Sequence, residues 1–296
     1  MLGVVNLDKP VGPTSHDMVG LMRRLTGTRR IGHAGTLDPL ASGVLPILVG
    51  SATRFSEELT GGRKRYDATI RLGQTSATND AEGPITPVDA PLPSGEAITR
   101  ALAGFVGTFE QRPPAFSARK LAGRTAYRAA RAGEPIDLPP RTVTVESIDV
   151  LEMGAGEGWL DVRVDLRCGP GTYVRSIARD LGEALGTGGH LHALRRTEAA
   201  GLRAEDALTP DRLEALATEG RLADAVHPVG ALLPLPAVTL DPDAAWRFAH
   251  GAVQPAGNGS PGRVKVLDDA GTLIGVGSVA DGELRPEKVI PQESGA

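Results

Sequence analysis

Residues 159–168 read Trp-Leu-Asp-Val-Arg-Val-Asp-Leu-Arg-Cys, with Leu160, Val162, Val164, Leu166 and Cys168 on one parity and Asp161, Arg163, Asp165 and Arg167 on the other. Successive side chains of a strand point to opposite faces, so this pattern commits the segment to a strand with one dry and one wet face, the habit of antiparallel sheets. Lys64–Leu72 repeats the pattern: Tyr66, Ala68, Ile70 and Leu72 share a face, which turns Tyr66 inward. Val143 to Met153 predicts a further strand, joined to 159–168 through the glycine-rich turn Gly154 to Gly158. Shorter strands are expected over Val4 to Leu7, Pro46 to Gly50 and Val106 to Gln111.

Helical spacing alternates with these strands. Met18, Val19, Met22 and Leu25 follow a cap at Thr14 or Ser15; Ser51 is placed to cap a helix from Ala52 to Leu59; Ser94 to Phe105 forms another. Thr172 is the expected cap of a helix carrying Tyr173, Ile177 and Leu181, and Thr209-Pro210 opens one more. Val226 to Val238, rich in Pro and Leu, reads as a linker. Beyond it come a small helix from Asp241 to His250 and a hairpin of 263–267 with 272–277 around Asp268-Asp269-Ala270-Gly271.

Composition removes several classes of function. A single Cys excludes an intrachain disulfide framework, and the six His show no metal-ligand spacing, His190 and His192 lacking a third partner, so neither metal nor cofactor is expected. Cys168 falls on the apolar parity of its strand and reads as a buried hydrophobe. The start of the chain meets a charge too early for a signal peptide, and no apolar run approaches membrane-spanning length; a cytoplasmic protein is expected. The net charge of −4 is unusual for a nucleic-acid binder, so cationic clusters must carry that argument: Arg23, Arg24, Arg29 and Arg30 in one, and Arg119, Lys120, Arg124, Arg128 and Arg131 in the other.

One stretch places a carboxylate where carboxylates are uncommon: Gly32-His33-Ala34-Gly35-Thr36-Leu37-Asp38-Pro39-Leu40-Ala41-Ser42-Gly43-Val44-Leu45. Pro39 biases Asp38 away from helix, and glycines at 32, 35 and 43 admit conformations that a Cβ obstructs. Taken alone, Asp38 is a turn residue bonding its own backbone. The wording of the stretch closely resembles the catalytic motif of the TruB family of tRNA pseudouridine synthases. Lys64-Arg65-Tyr66 with Gln74 to Gly83 resembles the family's second motif, Pro113-Pro114-Ala115-Phe116-Ser117-Ala118 a third in which Phe116 stands for Tyr, and Gly171-Thr172-Tyr173-Val174-Arg175-Ser176 a fourth, preceded by Gly169-Pro170 in place of a Ser-containing turn. Gly188 to Thr197 resembles the last.

The resemblance implies an α+β fold: a pseudouridine-synthase catalytic domain over 1–230 with a mixed, largely antiparallel sheet flanked by helices, and a small β-rich PUA-like domain over 237–296. It implies isomerisation of the uridine at position 55 in the TΨC loop of tRNA, with Asp38, Tyr66 and Arg175 catalytic. His33, Tyr173, Leu194, Arg29, Arg30, Lys120 and Arg124 would hold the RNA: His33 fills the place the flipped uridine leaves, Tyr66 and Tyr173 wall the base, and the cations grip phosphates. The partner is the T arm of tRNA; no membrane and no obligatory protein partner is implied, and a monomer is expected. Two rivals stand beside this reading. One is a tRNA-binding or folding-helper protein without catalysis; the other is a hydrolase with Asp38 as nucleophile, disfavoured because Leu40 occupies the place of the second acid such sites use.

Overall fold

The computed structural model describes residues 1–116, 120–121, 124–125, 129, 134, 136, 138–257 and 259–291, with backbone alone at 120–121 and 124–125. Among them, ten strands make one mixed sheet: β1 (Gly3–Lys9), β2 (Ile31–His33), β3 (Ala41–Val49), β4 (Lys64–Leu72), β5 (Gly107–Gln111), β6 (Arg141–Gly156), β7 (Trp159–Cys168), β8 (Gly189–Ala199), β9 (Leu202–Arg203) and β10 (Val226–His227). Their order is β10-β1-β3-β8-β4-β7-β6-β5, with β2 added to β3 and β9 to β8. Every pairing is antiparallel except β3 with β8, where Leu194, Arg195 and Arg196 lie opposite Ala41, Ser42 and Gly43.

That exception creates the site. Gly43 pairs with Lys9 of β1 on one edge of β3 and with Arg196 of β8 on the other. The second edge is shared, because β2 pairs with β3 at its far end through Ile31↔Val49 and His33↔Ile47. Residues 34–40, which connect β2 to β3, therefore fill the fork between β2 and β8. Gly43 must be glycine here: its φ is +101° and an added Cβ would lie 2.2 Å from the Arg196 carbonyl oxygen. Gly32 carries no such demand, since a Cβ there would meet only Thr53 Cγ2 at 3.5 Å.

Burial follows the sequence pattern. In β4, Lys64, Tyr66, Ala68, Ile70 and Leu72 are buried and the intervening residues are not. The main core lies between this face and four helices: α1 (Ser15–Thr26), α2 (Gly95–Ala103), α3 (Val174–Leu185) and α4 (Pro210–Thr218), contributing Met18 and Met22, Ile98 and Leu102, Ile177 and Leu181, Leu213 and Leu216. Transfer of such aliphatic side chains from water, about 1.5–3 kcal/mol each when fully buried, dominates the stabilisation. The opposite, solvent face is a lattice of ion pairs: Arg65–Asp165 at 2.8 Å, Arg163–Asp67 at 2.6 Å, Arg71–Asp161 at 2.7 Å and Arg195–Asp8 at 2.8 Å. These charges satisfy one another, which leaves cations elsewhere to meet a polyanion.

A five-stranded sheet follows in the order Ala237–Thr239, Gly262–Leu267, Leu273–Ala280, Glu283–Val289 and Gln254–Pro255, with helix Pro242–Ala249 against it. The structure is thus α+β, with a large mixed sheet and a β-rich C-terminal part. The two parts are packed together, Leu273 and Val276 sharing a core with Phe55, Leu59 and Leu48. Glu58, with 3 % of its side chain exposed, accepts hydrogen bonds from Arg263 at 2.6 Å and Lys288 at 2.9 Å.

Several local expectations are corrected. Ser51 caps no helix: Gly50–Phe55 is a 3-10 turn without a side-chain cap, and the α-helix is confined to Ser56–Thr60. Thr172 is not the cap of α3; its hydroxyl donates to the Gly169 carbonyl, and the capping position falls on Tyr173. The stretch 226–238 contains β10, a short helix Val229–Leu232 and the start of Ala237–Thr239, because its apolar residues found partners across the chain. Strand β6 runs on to Gly156, shortening the expected glycine turn to Glu157 and Gly158. Thr14, one of the two expected caps of α1, forms a full capping box with Asp17.

Candidate active site

The loop carrying Asp38 is pinned from both flanks. The Leu37 amide donates to Ser15 Oγ at 2.8 Å while that hydroxyl donates to the Leu37 carbonyl at 2.9 Å, so one buried serine holds both polar groups of the residue before Asp38. The Pro39 carbonyl accepts from the Gly12 amide at 2.9 Å and from Lys9 Nζ at 3.4 Å. Lys9 is fully buried and donates also to the Pro10 and Pro13 carbonyls, each at 2.7 Å. Burial pushes its pKa down to about 8, against the pull of Glu82, Asp38 and Asp17.

Arg175, on the first turn of α3, reaches this loop: its Nε lies 2.9 Å from Asp38 Oδ2. Only 5 % of the Arg175 side chain is exposed, against 38 % for Asp38, so the guanidinium is buried behind the carboxylate and the carboxylate faces outward. The remaining Arg175 donors are also engaged, with the Thr78 carbonyl at 3.2 Å, the Phe116 carbonyl at 2.8 Å and Asp80 Oδ2 at 3.4 Å. Asp80 is itself buried and held by Thr78 Oγ1 and the Glu82 amide. Partial burial raises the Asp38 pKa above the ordinary carboxylate range, Arg175 opposes that rise and Asp80 adds to it. Arg175 meets Asp38 through Nε alone, its two terminal nitrogens being turned to Thr78, Asp80 and Phe116.

The open face of Asp38 looks into a cavity of about 270 Å³ lined by Gly35, Thr36, Asp38, Thr60, Lys64, Tyr66, Tyr173, Arg175, Leu194 and Arg196, among others. Tyr66 and Leu194 are buried, and Tyr173 is half-buried. Gln111, almost wholly buried at the end of β5, accepts from the Tyr173 amide at 2.9 Å and donates to its carbonyl at 3.1 Å. Helix α3 has no side-chain cap, and Gln111 instead holds both backbone groups of the residue at the capping position, two residues ahead of Arg175. A second cavity, of about 510 Å³, adjoins the first through Gly35, Thr36, Thr60 and Gly171 and is lined also by His33, Glu57 and Arg141. His33 Nδ1 is buried with no hydrogen-bond partner among the described residues.

Of the residues singled out from sequence, Asp38, Tyr66, Tyr173, Arg175 and Leu194 converge on one cavity, and His33 lines the adjoining one. Arg29 and Arg30 stand exposed at the entry to β2 and line neither cavity; Arg30 donates to Thr53 Oγ1 at 3.2 Å. The Lys120 and Arg124 side chains, and residues Arg119, Arg128 and Arg131, lie outside the described residues. His190 and His192 contact each other edge-on, 6.3 Å between centroids, and among the described residues no group of three or more potential ligands gathers. Cys168 is buried, which pushes its thiol up to about 11. Sequence reading gave Asp80, Gln111, Lys64 and Arg196 no part in the site and Ser15 only a capping role, although Lys64, Asp80 and Arg196 stand inside the quoted motifs.

Residues 23–174 match the family model described as TruB family pseudouridylate synthase (N terminal domain). Residues 175–234 match a tRNA pseudouridylate synthase B C-terminal domain, and 236–290 the C-terminal model Pseudouridine synthase II TruB. The chain is 43 % identical to the tRNA pseudouridine synthase B of Acaryochloris marina (strain MBIC 11017), covering 99 % of this chain and 100 % of that one. It is also 43 % identical to that of Burkholderia mallei (strain NCTC 10247), over 97 % and 96 %. Among solved structures it resembles a chain of a Cbf5-Nop10-Gar1 complex, with a TM-score of 0.75 and 28 % identity over 98 % of this chain and 85 % of that one. A chain of the archaeal box H/ACA sRNP Nop10-Cbf5 complex gives 0.74 and 27 %, over 98 % and 86 %.

Proposed function

The chain belongs to the TruB family of pseudouridylate synthases, enzymes that isomerise uridine in tRNA to pseudouridine, and we propose that its target is the uridine at position 55 in the TΨC loop. The observation that carries the proposal is the Asp38–Arg175 pair at 2.9 Å on the wall of a base-sized cavity.

The reaction breaks the bond from N1 to C1′, turns the detached base and joins C5 to C1′, after which C5 gives up its proton and N1 gains one. Nothing is oxidised or reduced. Loss of the base leaves C1′ electron-deficient, and an ionised carboxylate meets that demand as nucleophile or as electrostatic partner. Asp38 lines the cavity, and Arg175 favours its charged form against the opposing effect of burial. Asp80 holds the far side of Arg175 and so acts on Asp38 through it.

A uridine stacked within a folded loop reaches Asp38 only by flipping out, which costs a few kcal/mol. Tyr66 and Tyr173 offset that by contact with the base, roughly 1–3 kcal/mol for each aromatic stack, and Leu194 closes the pocket. His33, beside the pocket, is placed to take up the space the base vacates. Arg29 and Arg30, with Lys120 and Arg124, supply phosphate contacts along the T arm. We assign catalysis to residues 1–230 and a PUA-like supporting role to 237–296, in a protein working as a monomer in the cytoplasm.

The test is tritium release from tRNA labelled at uridine C5, followed by mapping of the modified position. Wild type releases tritium from position 55, whereas Asp38→Asn releases none while binding tRNA within a few-fold of wild type. Binding by wild type without release would instead establish a non-catalytic RNA-binding protein.

A further inference from the structure

The cavity beside the active one is lined by polar groups that the chain itself leaves unmet. Arg141 opens β6 and pairs there with Gln111 of β5, the residue that holds Tyr173 by both backbone groups. Its guanidinium crosses to the turn before α3 and lies against Gly171, where an added Cβ would stand 2.3 Å from Cζ and Nη2 and 2.6 Å from Nη1. Gly171, at a φ of +80°, is thus the seat of the guanidinium, and any side chain there would displace it.

Arg141 Nε is buried without a hydrogen-bond partner, and among the described residues the side chain forms no ion pair. The acid in the cavity lining, Glu57, is engaged by Lys288 at 3.1 Å. His33, whose Nδ1 is likewise unmet, lines the same cavity. A guanidinium carries its charge at any pH a cell meets, and its planar fork matches the paired oxygens of a phosphate. Gly35, Thr36, Thr60 and Gly171 line both this cavity and the one that Asp38 faces. A polynucleotide whose target base enters the first therefore carries its adjoining phosphates past the second.

Resting on the pseudouridine-synthase reading, we propose that Arg141, seated on Gly171, clamps a phosphodiester flanking the flipped uridine and so holds that nucleotide's sugar in place beside Asp38. The reaction itself creates the need. Once the base has detached it must turn, and C5 has to meet the same C1′ that N1 left, so the sugar must be held by something other than the base. A clamp on the backbone does this, whereas the aromatic walls of the pocket hold only the part that moves. Arg141 touches no reacting atom and makes or breaks no bond; it is a phosphate-binding and positioning residue.

The experiment replaces the phosphates of a T-arm stem-loop RNA one at a time by methylphosphonate, which removes the charge, the nucleotide on the 5′ side being 2′-deoxy in modified and control RNA alike. Wild-type full chain loses about 10-fold in affinity by filter binding when a phosphate next to position 55 is replaced, the scale of one charge-assisted hydrogen bond. Arg141→Gln binds the intact RNA weaker by about that factor, its slope of log affinity against log salt falls by about 1, and the same replacement costs it less than about three-fold more. Replacements elsewhere cost both proteins alike. At saturating unmodified RNA labelled at C5, Arg141→Gln releases tritium about 10-fold more slowly or worse in a single turnover, and Arg141→Lys, which keeps the charge without the fork, recovers more of the affinity than of the rate. Should Arg141→Gln misfold, Arg141→Lys carries the same scan, its loss confined to the flanking phosphate. Equal losses at the flanking phosphates in wild type and variant would overturn the proposal, as would a near-normal rate for Arg141→Gln at saturation. Binding by wild type without tritium release would instead remove the isomerase reading alone, since the affinity scan needs no turnover.

Discussion

Asp80→Asn removes one charge and changes no volume, at a residue that never faces the cavity. Its Oδ2 sits 3.4 Å from Arg175 Nη1, a separation worth about 5 kcal/mol of Coulomb energy at an effective dielectric of about 20, as an upper bound. Arg175 retains Asp38 and two carbonyls, so the folded protein loses only part of that. The larger consequence is geometric: an amide nitrogen turned toward Nη1 would set donor against donor, and Arg175 would leave the orientation that presents Nε to Asp38. We expect single-turnover tritium release to fall 100- to 1000-fold, equivalent to about 3–4 kcal/mol in the barrier, with tRNA affinity within a few-fold because Asp80 is buried. A second effect has the opposite sign. Asp80 raises the Asp38 pKa, so its neutralisation shifts the acid limb of the remaining activity to lower pH. Both are read from one pH series of C5 tritium release alongside filter binding. A rate within three-fold of wild type would show that Arg175 needs no second carboxylate, and the positioning argument would be lost.

Gly43→Ala forces a Cβ to 2.2 Å from the Arg196 carbonyl at a φ of +101°, and should cost about 3 kcal/mol or more in urea unfolding, whereas Gly32→Ala changes stability by about 1 kcal/mol at most. Glu58→Gln weakens the clasp to the C-terminal sheet by about 1–3 kcal/mol at neutral pH, less than a fully buried pair because Arg263 and Lys288 are partly exposed. Burial pushes the Glu58 pKa up, but hydrogen bonds from Lys288 and Arg263 outweigh it and the net shift is downward. Its stabilisation is therefore complete above the ordinary carboxylate range and vanishes as pH falls through the depressed value, so the gap between wild type and variant should close in acid. Replacing Arg29 and Arg30 together by Ala should reduce the slope of log affinity against log salt by about 1–2, and an unchanged slope would mark that patch as bystander surface.

Strand periodicity was readable because it is local. The parity of Lys64–Leu72 and Trp159–Cys168 shows directly in the burial of β4 and β7, and the wet parity became the ion-pair lattice between them. Capping at Thr172 and Ser51 misled because a nearby hydroxyl is only one of the groups able to satisfy a helix start. Gln111, sixty-two residues from Tyr173, instead bonds both backbone groups of the residue at the start of α3, and no rule of spacing could nominate it. The same holds for 226–238, whose apolar residues read as linker until strand β1 and the C-terminal sheet supplied their partners.

What the chain determined by itself was the inventory: which segments are strands with one dry face, which carboxylate stands on a stiff loop, and which Arg resembles its partner. Tertiary structure decided how that inventory becomes a site. One parallel pairing, β3 with β8, opens the fork that holds residues 34–40 and brings Arg196 beneath Gly35, while α3 carries Arg175 to Asp38. The physical reason is range. Alternation and turn chemistry act over a few residues and are written in the local sequence, whereas the burial of a charge, and therefore its pKa and direction, depends on neighbours that only the completed fold brings within a few ångströms.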